Sequence, residues 1–224
     1  MSAIADNLSR VRDLVAEAAA RGGREVELLV VSKTWDASVV QKAVDEGQLL
    51  FGENRLQEGE EKIPELPDDL EWHFIGALQR NKVRKVLPLF PVIHSISSLK
   101  LARHTDRIAG ELALGPEVFL EVNIGNEEGK HGFSSDDLCE SLEEILAMPN
   151  LQVQGLMCIP PRGESSEDSR PWFAKVKSLQ DELERQIGRE FPELSMGMSG
   201  DYEVAIEEGA TIVRVGSAIF GPRS

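Results

Sequence analysis

The sequence predicts an α/β fold: a single (β/α)8 barrel of the TIM type, preceded by an N-terminal helix and taking up residues 1–224 as one domain. Three observations predict it. Eight short apolar runs punctuate the chain, amphipathic stretches separate them, and one further amphipathic segment stands ahead of the first run. Strands alternating with helical patterns imply parallel pairing, and eight such units suffice to close a barrel. A doubly wound open sheet is the competing arrangement. No G-x-G-x-x-G follows the first run, which counts against a dinucleotide-binding version of it.

The opening stretch, MSAIADNLSRVRDLVAEAAARGG, carries Asp6, Arg10, Arg12 and Asp13 within its apolar pattern. It therefore reads as an amphipathic helix and lacks the apolar core of a secretion signal. The first run, VELLVVSK (26–33), ends on a lysine, and Trp35, Asp36, Ala37 and Ser38 turn the chain into a helix over 37–46. The second run is LLFGEN (49–54), and a polar, partly helical link joins it to EWHFIG (71–76). Helical spacing over 79–87 precedes PVIHSIS (91–97), and a longer pattern over 98–112 precedes EVFLEVNI (117–124). A helix over 136–147 leads to VQGLMCI (153–159). The stretch PPRGESSEDSRP (160–171) is rich in loop formers and reads either as a lid or as a solvated connection. A helix over 172–187, the run LSMGMS (194–199), a short helix over 202–208 and the run TIVRVGS (211–217) complete the pattern.

Charge and cysteine usage narrow the function. With 24 Lys plus Arg against 39 Asp plus Glu, the net charge is −15. Such a surface repels phosphate backbones and anionic lipid, so neither nucleic acid nor membrane is an expected partner. The apolar share is 41%, and no run is long enough to span a bilayer. Cys139 and Cys158 stand far apart in no metal-ligand spacing, so no metal is expected and a reduced, cytoplasmic setting is. In so acidic a chain, a basic residue inside an apolar run calls for a specific anionic partner.

Chemistry in a parallel barrel collects at the C-terminal strand ends. Here those ends carry Lys33, then Asn54, then Gly76 leading into ALQRNK, then Ser199-Gly200-Asp201, and finally Arg214 with Gly216-Ser217. Ser199-Gly200 opens the seventh helical segment and Gly216-Ser217 the eighth. Either pair is an ordinary helix cap or part of a phosphate site, since helix N-termini offer unpaired N–H groups and glycine lets an anion approach. Alternation puts Arg214 on the inner face with Ile212 and Gly216. There it is either ion-paired or faces a ligand, an anion or a heterocyclic nitrogen. A lysine in an apolar site near other cations becomes a usable amine nucleophile. A neutral amine beside a phosphate site suits an aldehyde bearing a phosphate. Pyridoxal 5′-phosphate (PLP) and a sugar-phosphate aldolase substrate both answer that description, and spacing does not choose between them.

The motifs VSKT, GENRLQE, WHFIGALQRNK, GLMCIPP and LSMGMSGDYEVAIEEGATIVRVGSAIFG resemble the pyridoxal phosphate homeostasis protein family, which shares the barrel of the alanine racemase N-terminal domain. The likeness runs from about residue 1 to the end with the motifs in order. The last, over 194–221, is highly specific, whereas GENR alone is weak. The resemblance implies that PLP is held covalently as an aldimine on Lys33, with Arg214 facing the pyridine nitrogen. It also implies phosphate binding by Ser199, Gly200, Gly216 and Ser217, and Asn54 beside the cofactor ring. Met157 and Met198 would line the pocket, with ordinary core the plainer role for both. His73 is similarly placed in the family, with a satisfied core histidine the plainer role. One departure stands out. Family members commonly follow the lysine with a Thr-Lys-Pro-like turn, but here Thr34-Trp35-Asp36 follows and the second lysine is absent. Lys130, in EEGKHGF, matches a loop lysine of the family and is either a secondary site or a solvated surface residue.

Arginine accepts no proton, so a pyridine nitrogen facing it stays neutral and the ring stabilises carbanions poorly. That suits holding the cofactor. A two-base racemase needs a second base opposite the lysine, which in alanine racemases comes from the C-terminal domain of a partner subunit. This chain stops at Ser224 soon after the eighth run, and its one tyrosine is Tyr202. The expectation is a monomeric PLP carrier with no catalytic residues of its own, serving PLP homeostasis and passing the cofactor to apo-enzymes. The alternatives are a PLP-dependent amino-acid racemase or lyase and a cofactor-free Schiff-base aldolase.

Overall fold

The computed structural model describes residues 3–222. Its strands are β1 (Glu27–Val31), β2 (Leu50–Glu53), β3 (Glu71–Phe74), β4 (Val92–Ile96), β5 (Glu117–Val122), β6 (Gln152–Cys158), β7 (Glu193–Met198) and β8 (Ile212–Val215). They close a barrel in chain order, and β8 returns to pair in parallel with β1, setting Leu29 beside Arg214 and Val30 beside Val215. Each apolar run of the sequence thus holds one strand, with boundaries matching to within a residue or two.

The period-2 alternation of strands sorts the side chains into two layers. Val30, Phe51, Trp72, Phe74, Ile93, Val118, Leu120, Val213 and Val215 join a continuous core with the helices. Their intervening neighbours Leu29, Val31, Val92, Phe119, Met157 and Ile212 form a second, smaller cluster that fills the barrel. Each such side chain taken from water contributes about 1.5–3 kcal/mol before entropy is counted.

The helices are α1 (Ala3–Gly22), α2 (Ala37–Val44), α3 (Leu56–Lys62), α4 (Val83–Val86), α5 (Leu99–Leu112), α6 (Ser135–Leu146), α7 (Arg170–Ile187), α8 (Tyr202–Glu207) and α9 (Ser217–Phe220). Short polar side chains start three of them. Asp36 accepts from the Val39 N–H, Ser98 from Leu101 and Ser134 from Asp137. The buried stripe of α1, Leu8, Val11, Val15 and Ala18, has the 3–4 spacing of an amphipathic helix. It packs against α8, α9 and α2. The extra helix therefore covers the seam where β8 meets β1, and Asn7 ties it there by donating to Ile219 O at 3.0 Å. Among the described residues no helix is long and apolar enough to cross a membrane.

Three differences from the sequence expectation have local causes. The stretch 79–87 forms only a 3-10 turn and the single-turn α4. Pro88 follows and has no N–H to give back to Arg84, so the ladder stops. The seventh helical segment opens at Tyr202, leaving Ser199 and Gly200 in a preceding turn. That turn is fixed by the Asp201 N–H donating to Met198 O at 3.0 Å and the Met198 N–H donating to Asp201 Oδ1 at 2.7 Å. The stretch 160–171 is not loop throughout: it holds a 3-10 turn over Ser166–Ser169 and the start of α7 at Arg170, and Asp168 closes it by accepting from the Glu164 and Ser165 N–H groups.

Candidate functional site

All seven residues singled out from the sequence, Lys33, Asn54, Ser199, Gly200, Arg214, Gly216 and Ser217, line one cavity of about 440 Å³ at the C-terminal strand ends. Trp35, Ile75, Gly76, Ala77 and Ile159 share its wall.

Lys33 is carried just past the end of β1 by a braced backbone. The Ser32 N–H donates to Gly52 O at 3.1 Å, and Ser32 O accepts from the buried Lys62 Nζ at 2.8 Å. Lys62 is ion-paired with the buried Glu53, whose Oε1 also accepts from Ser32 Oγ at 2.7 Å. Burial pushes the Glu53 carboxyl up, with Lys62 and then Ser32 pulling the other way. Immediately after Lys33, Thr34 takes a positive φ of 71° and donates its N–H to Glu58 Oε2 at 2.6 Å. A β-branched residue in the left-handed region is strained by about 1–3 kcal/mol. The strain sits beside the lysine, at the point where the chain must leave the barrel rim and turn into α2.

Asn54 follows β2, and its Oδ1 is buried with no hydrogen-bond partner among the described residues. A Cβ on Gly76 would lie 2.1 Å from Asn54 O, so the glycine lets the β3 exit close on Asn54. Gly216 has the same role across the cavity, where a Cβ would lie 2.9 Å from Val31 O. Ser199 Oγ accepts from the N–H groups of Gly216 at 3.2 Å and Ala218 at 3.4 Å, joining the two loops that carry the suspected phosphate donors. With α8 six residues long and α9 only four, summed helix dipoles contribute little. The anion-attracting capacity of this corner lies in individual N–H and hydroxyl groups and in the two cations Lys33 and Arg214.

Arg214 stands inside the barrel at 5% exposure. It donates from Nη1 to Ser195 Oγ at 2.8 Å and from Nη2 to Cys158 O at 2.9 Å. Burial draws its pKa down, with Cys158, Asp201 and Glu121 acting in the opposite direction. Glu121 lies within its electrostatic reach, and burial raises that carboxyl.

Other residues named from the sequence fall elsewhere. Met198 lines the cavity, whereas Met157 is core in the barrel interior. His73 is buried near the N-terminal strand ends, hydrogen-bonded to His94 and Glu71. Tyr202 is buried and does not line the cavity. Lys130 is exposed and ion-paired with Glu127, and it lines an adjoining hollow with residues of the 160–171 stretch. Sequence reasoning missed Ser195 and His94, which lie behind Arg214. Their signal was present as a histidine inside PVIHSIS and a serine inside LSMGMS, polar residues in runs otherwise built for burial.

The family model for the alanine racemase N-terminal domain matches residues 1–224. A pyridoxal phosphate homeostasis protein of Aquifex aeolicus is 46% identical over 222 residues, covering 97% of each chain. The Escherichia coli K12 protein of that name is 41% identical and covers 100% of this chain and 98% of its own. PipY of Synechococcus elongatus PCC7942, solved with PLP bound, superposes with a TM-score of 0.87 at 38% identity, covering 97% of this chain and 100% of PipY. The chain belongs to the alanine racemase N-terminal domain family and, within it, to the pyridoxal phosphate homeostasis proteins.

Proposed function

We propose that this protein holds pyridoxal 5′-phosphate in the cavity at the C-terminal rim and takes part in intracellular PLP homeostasis. The whole chain acts as one PLP-binding domain, a cytoplasmic monomer that releases the cofactor to apo-enzymes. The observation that carries the reading is the gathering of a lysine, a buried arginine and a serine- and glycine-rich corner in one cavity. Its volume lies within the range of about 300–1,000 Å³ typical of small-molecule sites. The residues fit the group. Asn54 Oδ1 is a buried acceptor still lacking a partner among the described residues, and a Cβ at Gly200 would meet no protein atom, so that wall is open to a ligand.

When bound, PLP supplies an aldehyde and an electron-accepting ring. Lys33 would supply the primary amine that engages that aldehyde. Ser199 and Ser217, with the backbone at Gly200 and Gly216, receive the phosphate. Arg214 donates to the ring nitrogen and keeps it unprotonated. Among the described residues lining the cavity there is no His, Asp, Glu, Cys or Tyr, which leaves Lys33 as the one side chain there that could act as a base. That favours holding the cofactor over two-base racemisation.

The test is the visible spectrum of the purified protein before and after borohydride, with Lys33→Ala alongside. A visible band is expected that reduction removes and the variant lacks. A colourless protein that takes up no added PLP would sink the proposal, and stereospecific turnover of an amino acid would replace carriage with catalysis.

A further inference from the structure

A thread of polar groups crosses the otherwise apolar barrel interior. Arg214 Nη1 lies 2.8 Å from Ser195 Oγ, which lies 2.7 Å from His94 Nδ1. His94 Nε2 lies 2.9 Å from His73 Nδ1, and His73 Nε2 lies 3.1 Å from Glu71 Oε1. Ser195, His94 and His73 are at most 3% exposed, and Glu71, the first residue of β3, opens to solvent at the N-terminal end. The thread therefore connects the far end of the barrel with the cavity wall.

Its direction follows from the chemistry of its ends. A guanidinium has only donors, so Ser195 accepts from Arg214. The hydroxyl has one proton of its own, and His94 Nδ1 is the acceptor in reach. His94 then carries its proton on Nε2 and donates to His73 Nδ1, which leaves His73 Nε2–H to donate to the Glu71 carboxylate. In the reverse arrangement Ser195 would accept twice and strand its proton in a fully buried site. The bare Nε2 of His73 would then face a carboxylate, lone pair against lone pair. An unsatisfied buried donor costs about 1–3 kcal/mol, so the first arrangement wins. Stacking of His94 on Phe119, with centroids 4.3 Å apart, fixes the ring plane.

We infer that Ser195 and His94 are positioning residues for Arg214: Ser195 accepts from one Nη1–H, His94 fixes the Ser195 hydroxyl that does so, and together they set which N–H groups remain to point at the ligand. This rests on the function proposed above for the identity of that ligand, although the thread itself does not. Without Ser195 the guanidinium is held by Cys158 O alone and can pivot about that bond, so its other donors no longer meet a ring nitrogen at a fixed place.

Two measurements test the inference. In the ligand-free protein, ¹⁵N NMR of His94 is expected to show a bare Nδ1 and a protonated Nε2, and Ser195→Ala is expected to disturb that tautomer. In PLP titrations, Ser195→Ala is expected to weaken binding about tenfold and to move the visible band, since Arg214 loses an acceptor worth that much, and His94→Leu is expected to act in the same direction, since it frees the Ser195 hydroxyl to which Arg214 donates. His94→Asn, whose Oδ1 stands in for Nδ1, is expected to retain affinity within about twofold. A merely structural role would alter melting temperature while leaving the band in place and giving Asn no advantage over Leu. The inference is overturned by a protonated Nδ1 in the wild type, or by unchanged affinity and spectrum in Ser195→Ala. If His94→Leu fails to fold, Ser195→Ala and His94→Asn carry the comparison. If the wild type takes up no PLP, the proposed function falls and the nitrogen shifts alone decide the thread.

Discussion

Protonating His94 would place a charge in a dry site beside His73 and Arg214. Burial above all, and then those two neighbours, hold its pKa well below the ordinary 6.5. In the unfolded chain the same imidazole titrates near 6.5. Above that pH it is neutral in both states and its contribution to stability is complete. As pH falls below about 6.5 the unfolded chain takes up a proton that the folded one refuses. Stability is then lost at up to about 1.4 kcal/mol per pH unit until the depressed folded value is reached. Buried carboxyls oppose this at lower pH: Glu53 and Glu121 are raised by burial, so the folded state holds protons there that the unfolded state has released. The difference between wild type and His94→Asn isolates the histidine. Urea unfolding at pH 7.5, 6.5 and 5.5 is expected to show the wild type losing ground to the variant mainly between the last two. A constant difference would mean that His94 titrates normally in the folded protein.

Between the elements, the contact that most directly shapes the site is the one that α3 makes with β1 and β2 through Lys62. Its ammonium pairs with Glu53 and holds Ser32 O, one residue before Lys33. Lys62→Met leaves Glu53 buried without a counter-charge and is expected to cost about 3–5 kcal/mol, read from urea unfolding. Glu53→Gln in the same chain is expected to recover much of that loss, because the uncompensated charge goes with it. A single-variant cost below about 1 kcal/mol would show that the pair is solvated. This contact also marks where sequence reading stopped. The strands were legible because runs such as LLVV and TIVRV are short, apolar and rich in β-branched residues, as strands buried on both faces are, and Lys33 and Arg214 were legible because they end or interrupt such runs. The partnership of Lys62 with Glu53 spans nine positions and depends on how α3 lies over β2. That of Ser195 with His94 spans 101 positions and depends on barrel closure bringing β4 opposite β7. Neither carries a local signal. The serines and glycines of this corner were legible as residues at helix N-termini, but the lengths of the helices they precede were not: α8 has six residues and α9 four, so the dipole contribution expected there is small.

At the scale of the whole molecule, the net charge of −15 sets a condition on how an anionic cofactor arrives. Far from the protein, a phosphate-bearing ligand meets a repulsive field, while within the cavity it meets Lys33 and Arg214. The two contributions differ in range, so salt separates them. The Debye length falls from about 30 Å at 0.01 M to about 10 Å at 0.1 M, which removes repulsion from distant carboxylates before it weakens contacts inside a recessed site. If PLP is the ligand, its association rate is expected to rise, by about twofold or more, as salt increases over that interval. Basic proteins that attract anionic ligands show the opposite slope. Stopped-flow absorbance at constant PLP and protein, varying only sodium chloride, checks this. A rate that falls with salt would mean that the cavity's own cations govern the approach, and that the acidic surface lies turned away from the path. The dissociation rate is expected to change little over the same interval, because Arg214 is shielded from bulk ions by burial and the covalent hold proposed for Lys33 would be indifferent to them. An acidic carrier of an anionic aldehyde would thus bind slowly and hold firmly, with release set by chemistry at Lys33 and not by ionic strength.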